Sequence, residues 1–321
     1  MTAPEPPSGV GPGRWLLPAA FILLGTLWGS SFAWIKVAVE ELPPATLVAE
    51  RMTLGAIGML VFLLFTRPAW PNRGQIGHLA VMGAVNAGLP IFLISWGEQY
   101  IDSGTAAVLN SLVPIFSLLI AGLLLRTETW SALRVLGVLA GFGGAVVLAS
   151  REFAFNPGPA AIGGALAVTL ASLCYAIGAS YAKSRIQSTN RYVVAAGTLV
   201  FAALYLWIVA FAVDGRPALP TQPATIAAVQ WLGLLGSFVA YLLYFYLLTH
   251  MGATVSTMVT YIFPVVGVTI GVVALNEVLD LRLLLGTALV VLGIAVVGLR
   301  YDAMVSLAGR VARRAAGSGG Q

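Results

Sequence analysis

Apolar residues fill this chain in long runs, and the polar punctuation between the runs is brief. A hydrocarbon core of about 30 Å needs about 20 residues of helix to cross it. Ten segments of that kind fit the pattern: 15–37, 44–65, 75–98, 104–125, 131–149, 159–182, 192–213, 224–248, 253–275 and 281–299. LPPA (42–45) and NPGPA (156–160) are the strongest breaks between them. Backbone in lipid must satisfy its own hydrogen bonds, which favours helices. The pattern therefore predicts an all-α membrane protein with ten transmembrane helices and no separate soluble domain.

The runs also repeat. YIFPVVGVTIGVVALNE (261–277) has a counterpart in SLVPIFSLLIAGLLLRTE (111–128), each with a proline, an apolar run and a closing glutamate. Pro114 and Pro264 are 150 residues apart, Glu128 and Glu277 are 149 apart, and Gly137 and Gly144 align with Gly286 and Gly293. Five spans separate equivalent points, so the second half is expected to enter the membrane upside down. The organisation that follows is a disordered cytoplasmic tail (1–14), a first five-helix repeat (15–149), a second (159–299) and a basic cytoplasmic tail (300–321). Inverted repeats place a binding site near the midplane, between the halves.

Composition narrows the classes. Of 321 residues, 59% are hydrophobic and 9% charged, against roughly 25% charged in soluble domains. The net charge of +5 does not imply nucleic acid, because the basic residues lie between apolar runs rather than on one amphipathic face. With the N-terminus inside, twelve Lys and Arg fall on the cytoplasmic side, among them Arg67, Arg73, Arg126, Lys183 and Arg310. Four fall outside, namely Lys36, Arg151, Arg216 and Arg282, and Arg51 lies within a span. This bias predicts two cytoplasmic termini. The run after Arg14 is too long for a signal-peptide core and reads as a retained first helix. One cysteine, Cys174, allows no intramolecular disulfide, and His78 and His250 lie too far apart in sequence to suggest a metal site. No GxxxxGK[ST] motif is present, which argues against ATP-driven pumping and against a nucleotide cofactor.

Several stretches together carry a family resemblance. They are WGSSF (28–32), AERMTLGA (49–56), GEQYIDSGTAAVLNSLVPIFSLLIAGLLLRTE (97–128), LTHMGATVSTMVTYIFPVVGVTIGVVALNE (248–277) and LLLGTALVVLGIAVVG (283–298). The chain resembles the drug/metabolite transporter superfamily, and within it the EamA-type ten-helix transporters, over residues 15–300. The arginine of AERMTLGA has no counterpart in segment 192–213. The resemblance implies a non-enzymatic carrier of the bacterial inner membrane that exports amino acids or related metabolites, with multidrug efflux as the alternative. A membrane-embedded enzyme or receptor would need a dense polar cluster such as HExxH, and none appears. The expected partners are a small-molecule substrate and the lipid bilayer, with the protein working as a monomer or homodimer.

Candidate residues follow from depth and chemistry. Pro114 and Pro264 remove backbone donors inside spans and are expected to kink their helices around a cavity. Arg51 is seven residues into the second segment, roughly 10 Å below its start. It either binds substrate, serves as a structural cation or snorkels. Glu50 is read as the partner of Lys36, or else as a proton carrier, and Glu128 and Glu277 as turn-forming or ion-paired groups. Asn86 and Asn110 lie at span depth, where an unsatisfied amide is costly. Trp28 and Ser31 share a helix face, and Tyr175, Tyr241, Tyr244 and Tyr261 supply aromatic walls. A binding site of Trp, Tyr and Asn with a single Arg would suit an amphipathic or zwitterionic solute. The glycines of GFGGA (141–145) and the pair Gly267 and Gly271 read as close helix packing.

Overall fold

The computed structural model describes residues 16–126, 130–186 and 189–297. The expected tails and Glu128 lie outside the described residues. Among the described residues the chain is entirely helical. Eight helices are long and apolar enough to cross a membrane: α1 (Leu16–Ala38), α2 (Pro44–Thr66), α3 (Arg73–Gly97), α4 (Ser103–Leu124), α5 (Ala132–Phe155), α6 (Pro159–Arg185), α7 (Arg191–Val213) and α8 (Pro223–Met251). Two shorter apolar helices follow, α9 (Met258–Ala274) and α10 (Leu281–Val297). They overlap the expected segments 253–275 and 281–299, and α10 reaches the last described residue. A tight turn over Met258–Tyr261 opens α9, and Asn276, with φ of 57°, turns the chain sharply after its end. Phe65 and Val273 are among the many large apolar side chains left exposed, at 83% and 76%. Water would not tolerate so many, whereas lipid does.

Four helices are irregular. α3 widens into a π-helical turn over Gly83–Gly88, and α8 does so over Trp231–Val239. α4 breaks at Ser111–Leu112, and Pro114 occupies the first turn of the segment that resumes at Val113. Pro264 sits equally early in the segment Ile262–Ala274 of α9. A proline there forfeits few helical bonds. The carbonyl of Thr260, four residues before Pro264, accepts the Ser111 hydroxyl at 3.4 Å.

Close approach depends on small residues. A Cβ on Gly144 of α5 would lie 2.7 Å from the Gly286 carbonyl oxygen of α10, and one on Gly293 would lie 2.6 Å from that of Gly137. The helices cross with backbones nearly touching, as small residues permit in lipid.

The connections α1–α2, α3–α4, α5–α6, α7–α8 and α9–α10 meet at one end of the bundle, where carboxylates cap helix starts across the fold. Glu277 accepts from the Ser103 amide and hydroxyl, at 2.7 and 2.6 Å, and from the Gly104 amide at 3.0 Å. Asp214 accepts from the Thr46 amide and hydroxyl at 3.1 and 2.8 Å. Glu41 accepts from the Thr221 amide and hydroxyl at 2.6 and 2.7 Å, and from the Gln222 amide. The bonds from amides satisfy donors that no helical carbonyl reaches, and each carboxylate places negative charge at the positive end of a helix dipole. Arg151 completes this end. The sequence pattern ended its helix at residue 149, but α5 runs on to Phe155. The Arg151 side chain is fully buried and pairs with Asp102 at 2.8 Å, Glu152 at 2.5 Å and Asp280 at 2.8 Å. Its Nη2 also donates to the Val278 carbonyl oxygen at 2.6 Å. Burial raises the Asp280 carboxyl, but the Leu283 amide and Arg151 outweigh it and hold the group below its usual range.

Two outcomes follow. Gly144→Ala should lower stability by about 1–3 kcal/mol through the forced separation of α5 and α10. Gly143→Ala, where a Cβ meets nothing within 4 Å, should leave it unchanged or raise it, and thermal unfolding in detergent compares the two. Hydrogen bonds from the Thr225 and Thr221 hydroxyls and the Thr221 amide lower the Glu41 carboxyl from 4.5 to about 2. A depressed carboxyl stabilises the fold fully above its unfolded value and loses that contribution as pH falls through the folded one. Glu41→Gln should therefore melt earlier than the wild type above about pH 4.5, with the gap closing as pH falls towards 2.

Candidate functional site

Arg51 lies two turns into α2 and is buried at 5% exposure. Its Nε donates to the Ser237 hydroxyl at 3.2 Å. Ser237 in turn donates to the Leu232 carbonyl oxygen, five residues back, at 2.9 Å. That spacing belongs to the π-helical turn of α8, which offsets the backbone bonds and aims Ser237 at α2. The same turn offers the Gly236 carbonyl oxygen to Trp28 Nε1 of α1 at 3.1 Å. A Cβ at Gly236 would sit 3.0 Å from the Ser31 hydroxyl and 3.6 Å from an Arg51 guanidinium nitrogen. Arg51, Ser31 and Trp28 therefore converge on one bare stretch of α8 backbone.

Aromatic rings surround this point. Trp28 meets Tyr244 at 5.7 Å between ring centroids, Phe263 at 6.2 Å and Tyr241 edge-on at 6.5 Å. Tyr175 of α6, Tyr241 and the Glu98 carboxylate are electrostatic neighbours of the Arg51 guanidinium, and Tyr241 is within hydrogen-bonding reach of Asn86. Asn86 belongs to the π-helical turn of α3 and packs on Gly178 of α6, where a Cβ would lie 2.6 Å from its side-chain oxygen. Trp28, Asn86, Tyr175, Tyr241 and Tyr244 are all half-buried. Five helices thus bring seven of the nine candidate residues together around one cation.

The other two serve different contacts. Asn110 of α4 is buried, and its side-chain oxygen accepts from Ser172 of α6 at 3.4 Å. The Tyr261 hydroxyl donates to the Ile294 carbonyl oxygen of α10 at 3.3 Å. The expected Lys36–Glu50 pair does not form. Lys36 Nζ donates instead to the Glu98 and Ile101 carbonyl oxygens, at 2.6 and 2.8 Å. The α3–α4 connection folds over the end of α1 and offers those carbonyls to the ammonium, while one Glu50 oxygen has no partner among the described residues.

Sequence reasoning passed over Ser237, Gly236 and Glu98. The first two sit in WLGLLGS (231–237), whose paired glycines are the only local signal of an irregular turn. Glu98 was legible only as part of GEQY (97–100). No group of three or more His, Cys, Asp or Glu suited to a metal occurs among the described residues.

The arrangement sets a buried guanidinium, an amide and phenol groups beside the apolar faces of indole and phenol rings, a mix of chemistry that small-molecule sites use.

Comparison with known proteins agrees with this picture. An uncharacterized transporter of Archaeoglobus fulgidus is 29% identical over 286 residues, spanning 88% of this chain and 98% of the relative. The uncharacterized inner membrane transporter YedA of Escherichia coli K12 is 29% identical over 266 residues, spanning 80% and 83%. A probable terminal-alkyne amino-acid exporter of Streptantibioticus cattleyicolor is 26% identical over 291 residues, spanning 88% and 93%. The model of the EamA-like transporter family matches residues 16–150 and 162–299. Those two stretches take in all or most of every helix described above, so this multi-pass membrane protein belongs to the EamA-like transporter family.

Proposed function

We propose that this chain is a secondary transporter of the bacterial inner membrane that exports a small carboxylate-bearing metabolite, an amino acid or a related compound. It does so by alternating access between two inverted five-helix repeats. The observation that carries this reading is Arg51. Its guanidinium is buried at span depth, yet a serine hydroxyl is its hydrogen-bond partner and no carboxylate pairs with it among the described residues. A desolvated cation in that position is costly and is normally paired. A substrate carboxylate would supply the missing partner, in the bidentate geometry that a guanidinium favours. The relative described as a probable terminal-alkyne amino-acid exporter is named for a substrate class of this kind.

Paired contacts support the repeat. With a spacing close to 150 residues, the π-helical turn of α3 maps onto that of α8. The Trp28–Gly236 contact maps onto Gly178–Asn86. Gly144 facing Gly286 and Gly293 facing Gly137 are likewise a two-fold exchange of one contact. The family model also matches two successive stretches. Alternating access needs one end shut while the other opens. The carboxylate caps and Arg151 close the end that the basic-residue bias places outside. At the opposite end, Trp70, Pro71, Gln75 and Arg191 line a cleft of about 440 Å³.

The stacked Trp28, Tyr241, Tyr244 and Phe263 favour a second reading, efflux of apolar foreign compounds.

Mass spectrometry of intracellular and extracellular metabolites, in cells expressing wild type, Arg51→Ala or Arg51→Lys, tests the proposal. A carboxylate-bearing metabolite should leave wild-type cells faster. Loss of a charge-assisted contact is worth about 1.5–3 kcal/mol, so Arg51→Ala should slow export by about 10- to 100-fold. Arg51→Lys should recover part of the rate. Equal export by all three would make Arg51 structural. Unchanged metabolites with increased resistance to an apolar toxin would favour the efflux reading.

A further inference from the structure

Glu98 follows the last residue of α3, at the closed end of the bundle. Its side chain has no exposed surface, and neither carboxylate oxygen has a hydrogen-bond partner among the described residues. Two neighbouring acids at this end are held by donors, while Glu50 of α2 also has one oxygen without a partner among the described residues. Glu277 has Ser103 and Gly104. Glu152 has Thr105 and Arg151. Glu98 has none of these.

The charged groups that face Glu98 do not neutralise it. They are Lys36 of α1, Arg51 of α2 and Glu277 of the α9–α10 connection. Lys36 gives hydrogen bonds to the carbonyl oxygens of Glu98 and Ile101 rather than to the carboxylate. Arg51 gives its Nε to Ser237. Glu277 adds like charge. On the remaining side, α6 packs against Gly97 through Gly164 and Val168, and its residues 159–173 include no titratable side chain. An ionised carboxylate without a donor is expensive to bury, so such a group takes up a proton instead.

We propose that Glu98 is the proton-binding site of this carrier: a neutral carboxylic acid while the capped end is shut, which gives its proton to water when that end opens. The site rests on the reading of the chain as a transporter, and it makes opening of that transporter's capped end dependent on pH. The proton comes from water at the capped end, binds one carboxylate oxygen and returns to water there, so no other reactant is needed. Release of the Glu277 cap from α4 and of Lys36 from the α3–α4 connection are the movements that would admit water.

Infrared spectroscopy of the full chain reconstituted in lipid tests this without any solute. At neutral pH, wild type should show the C=O stretch of a protonated carboxyl, shifted in deuterium oxide. The band should be absent from Glu98→Gln and present in Glu50→Gln. Because glutamine mimics the neutral acid, Glu98→Gln should melt within a few degrees of wild type. As pH is raised, the wild-type band should vanish in the same transition that changes tryptophan fluorescence. Trp96 reports locally, since it packs on Tyr100 at 5.1 Å. Glu98→Gln should lack that fluorescence transition. An identical band in wild type and Glu98→Gln, a large loss of stability in Glu98→Gln, or a fluorescence transition that persists in it would each overturn the proposal. A metabolite screen that finds no export would count against the transport reading alone, because the infrared band does not depend on a solute.

Discussion

Every irregular turn in a lipid-embedded helix frees a backbone group that water cannot satisfy, and the arrangement of this bundle follows from where those groups find partners. The π-helical turn of α8 offers its Leu232 and Gly236 carbonyls to Ser237 and to Trp28 of α1. Pro264 withholds an amide from Thr260, and Ser111 of α4 reaches that carbonyl. At the break in α4, the Leu109 carbonyl accepts Ser172 of α6. Each exchange fixes two helices at a specific depth. The cluster around Arg51 is one product of this constraint. Ser237 reaches the guanidinium because the turn redirected it, and Gly236 leaves room for Ser31 and Arg51 to approach the same backbone.

The ends of the bundle obey the same rule with different chemistry. Helix starts expose amides, and at the capped end carboxylates from distant connections fill them. Glu41, Asp214 and Glu277 each bridge elements more than 160 residues apart in the chain. These bonds act together with apolar burial at the same end, where Leu42, Ile101 and Leu283 are about 1% exposed.

Legibility in the sequence divides along these lines. Helix positions could be read because lipid imposes length and apolarity on every span, and α2 and α7 lie within a residue or two of the expected segments. The end of α5 could not. Ser150, Arg151 and Glu152 look like a loop unless the carboxylates of Asp102 and Asp280 are known to wait there, and Asp280 is 129 residues away. Lys36 was misread for a related reason: its partners are carbonyl oxygens, which leave no trace in side-chain identity. Arg51, Trp28 and the tyrosines were conspicuous as polar or amphipathic groups at span depth. Ser237 and Glu98 were not, because serine is common in such helices and a glutamate at a helix end is ordinary until its burial is seen.

The scaffold and the site differ in symmetry, and the difference bears on mechanism. Under the inverted-repeat reading, the glycine crossings and π-helical turns are shared by both halves, which gives two states of similar packing and a low cost of exchange between them. The site is one-sided. Position 28 is tryptophan where position 178 is glycine, position 86 is asparagine where position 236 is glycine, and Arg51 stands opposite Phe201. A symmetric scaffold lets the bundle open at either end, while a single cation keeps one solute orientation throughout. With Glu98 at the capped end and no counterpart at Leu248, proton release and uptake would accompany the opening of that end alone. Protonation would then set how readily that end opens, while the direction of net flux would follow the solute gradient.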